Sequence, residues 1–181
     1  LIDKETGQDL VNSSSGYKLN EYLYVTGGDL PPPKVWKNPP SNRLLTADPT
    51  LDVPVLTINR QTLVGTPQIA HFSWGTLVTI RTRAKNTPEI VTTITLNDQQ
   101  KRVTFQNVVE KIPTLNKEAV YFAFPFAVES PRAEYQSGTA WVNPETDMLP
   151  GATRQFFVTQ GGVRIEGANQ SVGWVSVDAP L

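Results

Sequence analysis

The chain contains no cysteine, so no disulfide staples it and no thiolate can bind a metal or attack a substrate. It has a single histidine, His71. Neither a two-histidine zinc site nor a Ser-His-Asp set with a second histidine to spare can be assembled from it. Charge of one sign is also missing. Sixteen basic residues against seventeen acidic ones leave a formal charge of -1, which lacks the cationic footprint that phosphates require, so nucleic acid is not an expected partner. No stretch approaches the roughly 20 apolar residues that span a bilayer, and Leu1-Ile2-Asp3-Lys4-Glu5 does not read as a secretory signal. A soluble chain with no membrane partner is expected. The missing disulfides exclude neither cytoplasm nor periplasm. No Gly-x-Ser-x-Gly elbow, phosphate-cradling glycine loop or His-Glu-x-x-His helix occurs.

What is present is a globular composition. The 181 residues are 39% hydrophobic and 18% charged, enough to bury a core between two packed layers, and one domain over 1–181 is the default expectation. The chain reads as an excised piece of a longer polypeptide. Fifteen prolines and twelve glycines leave few windows for a helix of ordinary length. Strand patterns fill the gaps. From Thr76 to Ala84, Val78, Ile80 and Ala84 alternate with Arg81 and Arg83, the period of a half-buried strand. Ile90, Thr92, Ile94 and Leu96, then Val103 and Phe105, flank the polar turn Asn97-Asp98-Gln99-Gln100 as a hairpin. Val120, Phe122, Phe124 and Phe126 form the densest aromatic row and are expected in the core. Thr139 to Val142, Gln155 to Thr159 and Val172 to Val177 are apolar on both faces or nearly so, the pattern of central strands in stacked sheets. Residues 27–54, with Pro31-Pro32-Pro33, Pro39-Pro40, Pro49 and Pro54, read as a long proline-rich surface excursion. The expected fold class is all-β, a two-sheet antiparallel sandwich with little helix.

Candidate chemistry is sparse. His71, within Ile69-Ala70-His71-Phe72-Ser73-Trp74, reads as a packed or hydrogen-bonded structural residue. Glu134, Glu145, Asp147 and Glu166 could supply the two carboxylates of a glycosidase, but they read first as solvated loop carboxylates. Asp147, in Thr146-Asp147-Met148-Leu149-Pro150-Gly151, suits a tight turn in which it caps backbone amides. A flat ring face can stack on the C–H face of a pyranose, which makes Trp36, Trp74, Trp141 and Trp174 the options for sugar contact. Trp36 lies in the proline-rich excursion and is the one expected to be exposed, although loop packing is its plainer role; Trp141 and Trp174 are expected to fill the core. Asn12-Ser13-Ser14 and Asn169-Gln170-Ser171 match a glycosylation pattern too short to carry weight.

At Glu118-Ala119 and Tyr121-Phe122-Ala123-Phe124-Pro125-Phe126 the sequence resembles the C-terminal β-region of glycoside hydrolase family 38, the α-mannosidase type. Four further stretches are similar to that family in the same order: residues 2–11 and 20–29, then Asn143-Pro144-Glu145-Thr146-Asp147-Met148-Leu149-Pro150-Gly151, and the closing Gly173-Trp174-Val175-Ser176-Val177-Asp178-Ala179-Pro180-Leu181. Together they span nearly the whole chain. The resemblance implies a mutarotase-like super-sandwich that packs against an N-terminal α/β catalytic domain of the same polypeptide. In that family the zinc ligands and the nucleophilic Asp belong to the catalytic domain. None has a counterpart here, so this chain is expected to hold no catalytic residue, metal or cofactor. One departure bears on specificity: relatives carry an Arg-Trp pair where this chain has Gly161-Gly162, and Met148 replaces a usual Gln.

The expected function is a non-catalytic module of an α-mannosidase-like hydrolase, reaching carbohydrate, a mannoside, through the parent protein. A stand-alone carbohydrate-binding or protein-interaction module is the alternative, and an autonomous glycosidase ranks last. Candidate carbohydrate contacts are Asp29 and Trp36 in the proline-rich excursion, Tyr24 just before it, Asp147 in its turn, and Arg154 shortly after.

Overall fold

A computed structural model describes residues 1–27, 56–149, 152 and 157–178. Most of the 27–54 excursion, including Asp29 and Trp36, lies outside the described residues, as does Arg154. The described residues divide into two compact units, one of 16–27 with 56–124, the other of 1–15 with 125–149, 152 and 157–178. Both are built on antiparallel sheet, and the fold class is all-β.

The first unit is a two-sheet sandwich. Its strands are β1 (Glu21–Gly27), β2 (Leu56–Arg60), β3 (Thr62–Leu63), β4 (Gln68–Phe72), β5 (Gly75–Ala84), β6 (Thr87–Asn97), β7 (Val103–Glu110) and β8 (Glu118–Ala123). One sheet has the order β2-β1-β8; the other runs β3-β5-β6-β7, with β4 also pairing with β5. The half-buried strand expected at Thr76–Ala84 is β5, and the expected hairpin is β6–β7, in register at Leu96 and Val103. A two-residue turn joins β5 to β6 with Ala84 opposite Thr87, and Asn86 there takes a positive φ of 52°, which asparagine tolerates better than most residues.

The two sheets meet on the side chains of β1. Tyr22 and Tyr24, 0% and 1% exposed, pack with Ile90 of β6 and are flanked by Ala84, Val109 and Phe122. Phe122 meets Tyr22 edge-on at 5.4 Å between ring centroids. A tyrosine in a core needs a partner for its hydroxyl. The Tyr22 hydroxyl shares a 2.9 Å hydrogen bond with the equally buried Thr87, which also donates to the Lys85 carbonyl. At the start of β1, Asn20 and Asn107 exchange two reciprocal 2.9 Å amide bonds, and Thr92 donates to Asn107 Oδ1. The seam is therefore apolar at its centre and hydrogen-bonded at its margin.

The aromatic row at residues 120–126 is only partly core. Phe122 packs as expected, but Val120 is exposed, and β8 ends at Ala123, before Phe124 and Phe126. Pro125 explains the stop, since it has no N–H for the ladder and restricts the backbone of Phe124. Phe124 instead meets Phe105 edge-on at 5.8 Å.

The second unit holds β9 (Arg132–Ser137), β10 (Ala140–Val142), β11 (Val163–Glu166) and β12 (Ser171–Trp174), in the order β10-β9-β11-β12. The assignment of Thr139–Val142, Gln155–Thr159 and Val172–Val177 to central strands is corrected here. The first and third give the short edge strands β10 and β12, with Val175 and Val177 exposed beyond β12; Phe157–Thr159 form no strand, and residues 155 and 156 are outside the described set. The central strands β9 and β11 have the charged sequences RAEYQS and VRIE, whose ion pairs, described below, hide their sheet character from a hydrophobicity pattern.

Replacing Tyr22 by Phe keeps the ring but strands the buried Thr87 hydroxyl with one partner fewer. Urea denaturation is expected to show a loss of about 1–2 kcal/mol, while Val108→Thr, on a side chain 61% exposed, should change stability by less than about 0.5 kcal/mol.

Candidate functional site

Of the five anticipated carbohydrate contacts, two are described, and they lie in different units. Tyr24 is a core residue. Its hydroxyl donates to Glu118 Oε2 and accepts 2.8 Å from Asn86 Nδ2, leaving no surface for a sugar. Glu118 is also paired with Lys111. Lys111 and Tyr24, as hydrogen-bond donors, hold the Glu118 carboxyl below its ordinary value against the opposing effect of its partial burial. The same contacts raise Tyr24 and Lys111: the Glu118 bond first in each case, with burial adding to it for Tyr24. The group is a closed polar clasp at the edge of the core.

Asp147 fills the capping role its turn suggested. Its Oδ2 accepts the Asn143 backbone N–H at 2.8 Å, its Oδ1 accepts the Thr146 hydroxyl at 2.9 Å, and its own N–H donates to the Asn143 carbonyl at 3.0 Å. The backbone bond from Asn143, then the Thr146 hydroxyl, keep its carboxyl below the usual range. Asn143 Oδ1 accepts from the Glu145 N–H in turn.

Glu134 is a correction to the sequence reading. It is no solvated loop carboxylate but a buried residue of β9, 5% exposed. Arg164, opposite it on β11, donates through Nε at 2.5 Å, and Arg132 on its own strand donates to Oε1 at 2.7 Å. Two guanidinium groups on one carboxylate supply the charge-assisted bonds that a buried anion needs. Arg164 also lies 5.0 Å from the Trp141 ring centroid, a cation–π contact. Trp141 is therefore not core filling: it is 42% exposed on the edge strand β10, while Trp174 is half-buried. An Arg-x-Glu in β9 facing an Arg in β11 was the available signal, but it becomes visible only once the register is known.

Gly161 and Gly162 are positions of close approach. A Cβ on Gly162 would stand 2.5 Å from the Trp174 carbonyl oxygen and 3.2 Å from Val175, whereas one on Gly161 would meet only the movable end of Gln136. A large side chain at Gly162 requires β12 to shift. Backbone packing thus requires glycine at 162 but not at 161.

The chemistry that faces solvent in the first unit is concentrated at β4 and β5. The outer face of the five-stranded sheet carries a cross-strand row Gln106–Thr93–Thr79–Gln68 from β7 to β4, and beside it Thr104–Thr95–Leu77–Ala70. Neighbouring strands lie about 4.8 Å apart, so these rows form an uncharged array, all hydroxyls and amides in the first row and two hydroxyls beside Leu77 and Ala70 in the second. The array ends at Phe72, which stacks on Trp74 with centroids 5.1 Å apart and planes 5° from parallel, both rings exposed. Gly75 makes the tip possible. Its φ of 151° and its approach to the Leu96 carbonyl leave no room for a side chain. His71 is exposed beside the tip, its Nδ1 hydrogen-bonded at 3.1 Å to Thr76, in keeping with a structural histidine. On the opposite, core-facing side of the same sheet, Leu63 pairs with Thr82 and Ile69 with Val78, yet Leu63 and Ile69 are 53% and 62% exposed.

The Glu118 clasp sets a pH dependence. A carboxyl whose folded value is depressed stabilises the fold above its unfolded value and loses that contribution as pH falls through the folded value. Glu118→Gln should therefore lower thermal stability at neutral pH, with the gap to wild type closing under acid; a gap of constant size from neutral to acid pH would contradict the clasp. No family model, curated protein or solved structure matches the chain.

Proposed function

We propose that the chain is a non-catalytic β-sandwich module of an α-mannosidase-like glycoside hydrolase, one that supports the catalytic domain of the same polypeptide and lends it carbohydrate contacts. The observation that carries the reading is the exposure of apolar side chains at the β3–β4 edge of the five-stranded sheet. Leu63 and Ile69 point to the core side yet remain more than half exposed, while Phe72 is exposed on the opposite face of β4. Covering each such side chain stabilises by about 1 kcal/mol or more, so a second layer from a neighbouring domain completes what this chain leaves open.

The sequence resemblance supplies the identity of that neighbour and of the substrate, a mannoside. The zinc and the nucleophile of such an enzyme belong to the catalytic domain, and the residues of this chain serve by packing and positioning. The uncharged Thr and Gln rows and the Phe72–Trp74 pair are of the types that contact sugars, which also keeps the stand-alone carbohydrate-binding module as the second reading.

The two readings separate in one assay: hydrolysis of an aryl α-mannoside by this chain and by the full-length protein that contains it, each with added zinc and with chelator. Activity confined to the longer protein and abolished by chelator is expected. Hydrolysis by the isolated chain would overturn the proposal, and silence in both would favour the binding module.

A further inference from the structure

The second unit contains a cleft that none of the roles above uses. Its volume is about 400 Å³, within the range of small-molecule sites. One wall is the segment Gln8–Asn12, which runs beside residues 125–127 through the Asn12 N–H to Pro125 carbonyl bond at 2.8 Å and the Ala127 N–H to Leu10 carbonyl bond at 3.1 Å. The opposite wall is the β11–β12 turn, closed by the Gly167 N–H to Gln170 carbonyl bond at 2.8 Å and tied across the floor by Gln170 Nε2 donating to the Ala127 carbonyl.

The walls are held at this separation by a glycine. A Cβ on Gly167 would lie 2.7 Å from both the Glu129 carbonyl oxygen and Val128 Cγ1, so only glycine lets the turn approach the 127–129 segment. The cleft is a product of that approach.

Its polar lining is Gln8, Asp9, Asn12, Glu129, Asn169 and Gln170, with neither a cation nor an aromatic ring. Asp9 is partly committed, accepting the Val11 N–H at 3.0 Å, and Asn12 Oδ1 accepts from both the backbone N–H and the hydroxyl of Ser14. The side chains of Gln8, Glu129 and Asn169 make no hydrogen bond or ion pair to a described residue. Carboxylates accept only, while amides both donate and accept. Facing one another across a cleft, the two types suit a ligand whose groups do both, namely a hydroxyl-rich neutral molecule. An anion meets the carboxylates of Asp9 and Glu129, and of the two only Asp9 has a cation beside it among the described residues, the Leu1 ammonium at 3.6 Å. Among the described residues no three His, Cys, Asp or Glu side chains gather as a metal ligand set.

We infer that this cleft binds a single neutral sugar residue, held through its hydroxyls by Gln8, Asn12, Glu129, Asn169 and Gln170 rather than by ring stacking. The site stands independently of a catalytic neighbour, so it can fail while the module reading holds, and the reverse.

The test is a titration of the ¹⁵N-labelled 181-residue chain with methyl α-mannoside, followed by the side-chain amide signals of Gln8, Asn12, Asn169 and Gln170. Saturable shifts of these signals are expected, and Glu129→Gln and Asn169→Asp should each weaken binding about five-fold. Both replacements are near-isosteric and exposed, and an unchanged backbone amide pattern verifies the fold. Absence of saturable shifts, affinity equal to wild type in both variants, or a response to calcium in place of the sugar would each overturn the inference.

Discussion

The sandwich depends on how one strand buries two tyrosines. β1 carries Tyr22 and Tyr24 on the side that meets β6, and each ring brings a hydroxyl into a region where an unpaired polar group would cost about 1–3 kcal/mol. The two hydroxyls are satisfied in different ways. Tyr22 takes a neutral partner, Thr87, at the turn between β5 and β6, while Tyr24 takes a charged one, Glu118 on β8, with Asn86 and Lys111 completing the group. Because the partners sit on a hairpin turn of one sheet and an edge strand of the other, the tyrosines fix the position of the β5–β6 turn over β1 as well as the core's composition. The reciprocal Asn20–Asn107 pair repeats the device at the other end of the seam.

The second unit solves the same problem with charge. β9 and β11 place Glu134 between Arg132 and Arg164, and Arg164 lies over Trp141, so one face of this sheet is held by ion pairs and a cation–π contact rather than by aliphatic packing. This is why its hydrophobic pattern is weak. The alternation that exposed β5, β6 and β7 in the sequence is a record of one face turned to a core and one to water. Where a face is closed by arginines and a glutamate, that record is absent. Thus β5, β6 and β7 are legible in the sequence, and so is Asp147's capping turn, whereas β1 to β4 show no such alternation. β9 and β11 are not, and of the apolar segments near them two form the edge strands β10 and β12 while Phe157–Thr159 form none.

The candidate site was less legible than the fold. Tyr24 lies in a strand that is buried on both faces from Glu21 to Val25, so its ring is core whichever face it takes, and no linear pattern distinguishes it from a surface aromatic. The outer-face rows Gln106–Thr93–Thr79–Gln68 and Thr104–Thr95–Leu77–Ala70 join residues up to 38 positions apart, and no linear motif announces them. Likewise the cleft between residues 8–12 and the β11–β12 turn arises from a glycine whose need is steric, visible once its neighbours are placed.

On the function proposed above, the exposed Leu63 and Ile69 of the β3–β4 edge take a second layer from a neighbouring domain. Hydrogen exchange of the β3 and β4 amides, compared between the 181-residue chain and a longer polypeptide that joins it to an α-mannosidase-type catalytic domain, tests this directly. Protection of these amides should rise in the longer protein while that of β6 stays unchanged; equal protection of β3 and β4 in both would contradict the account.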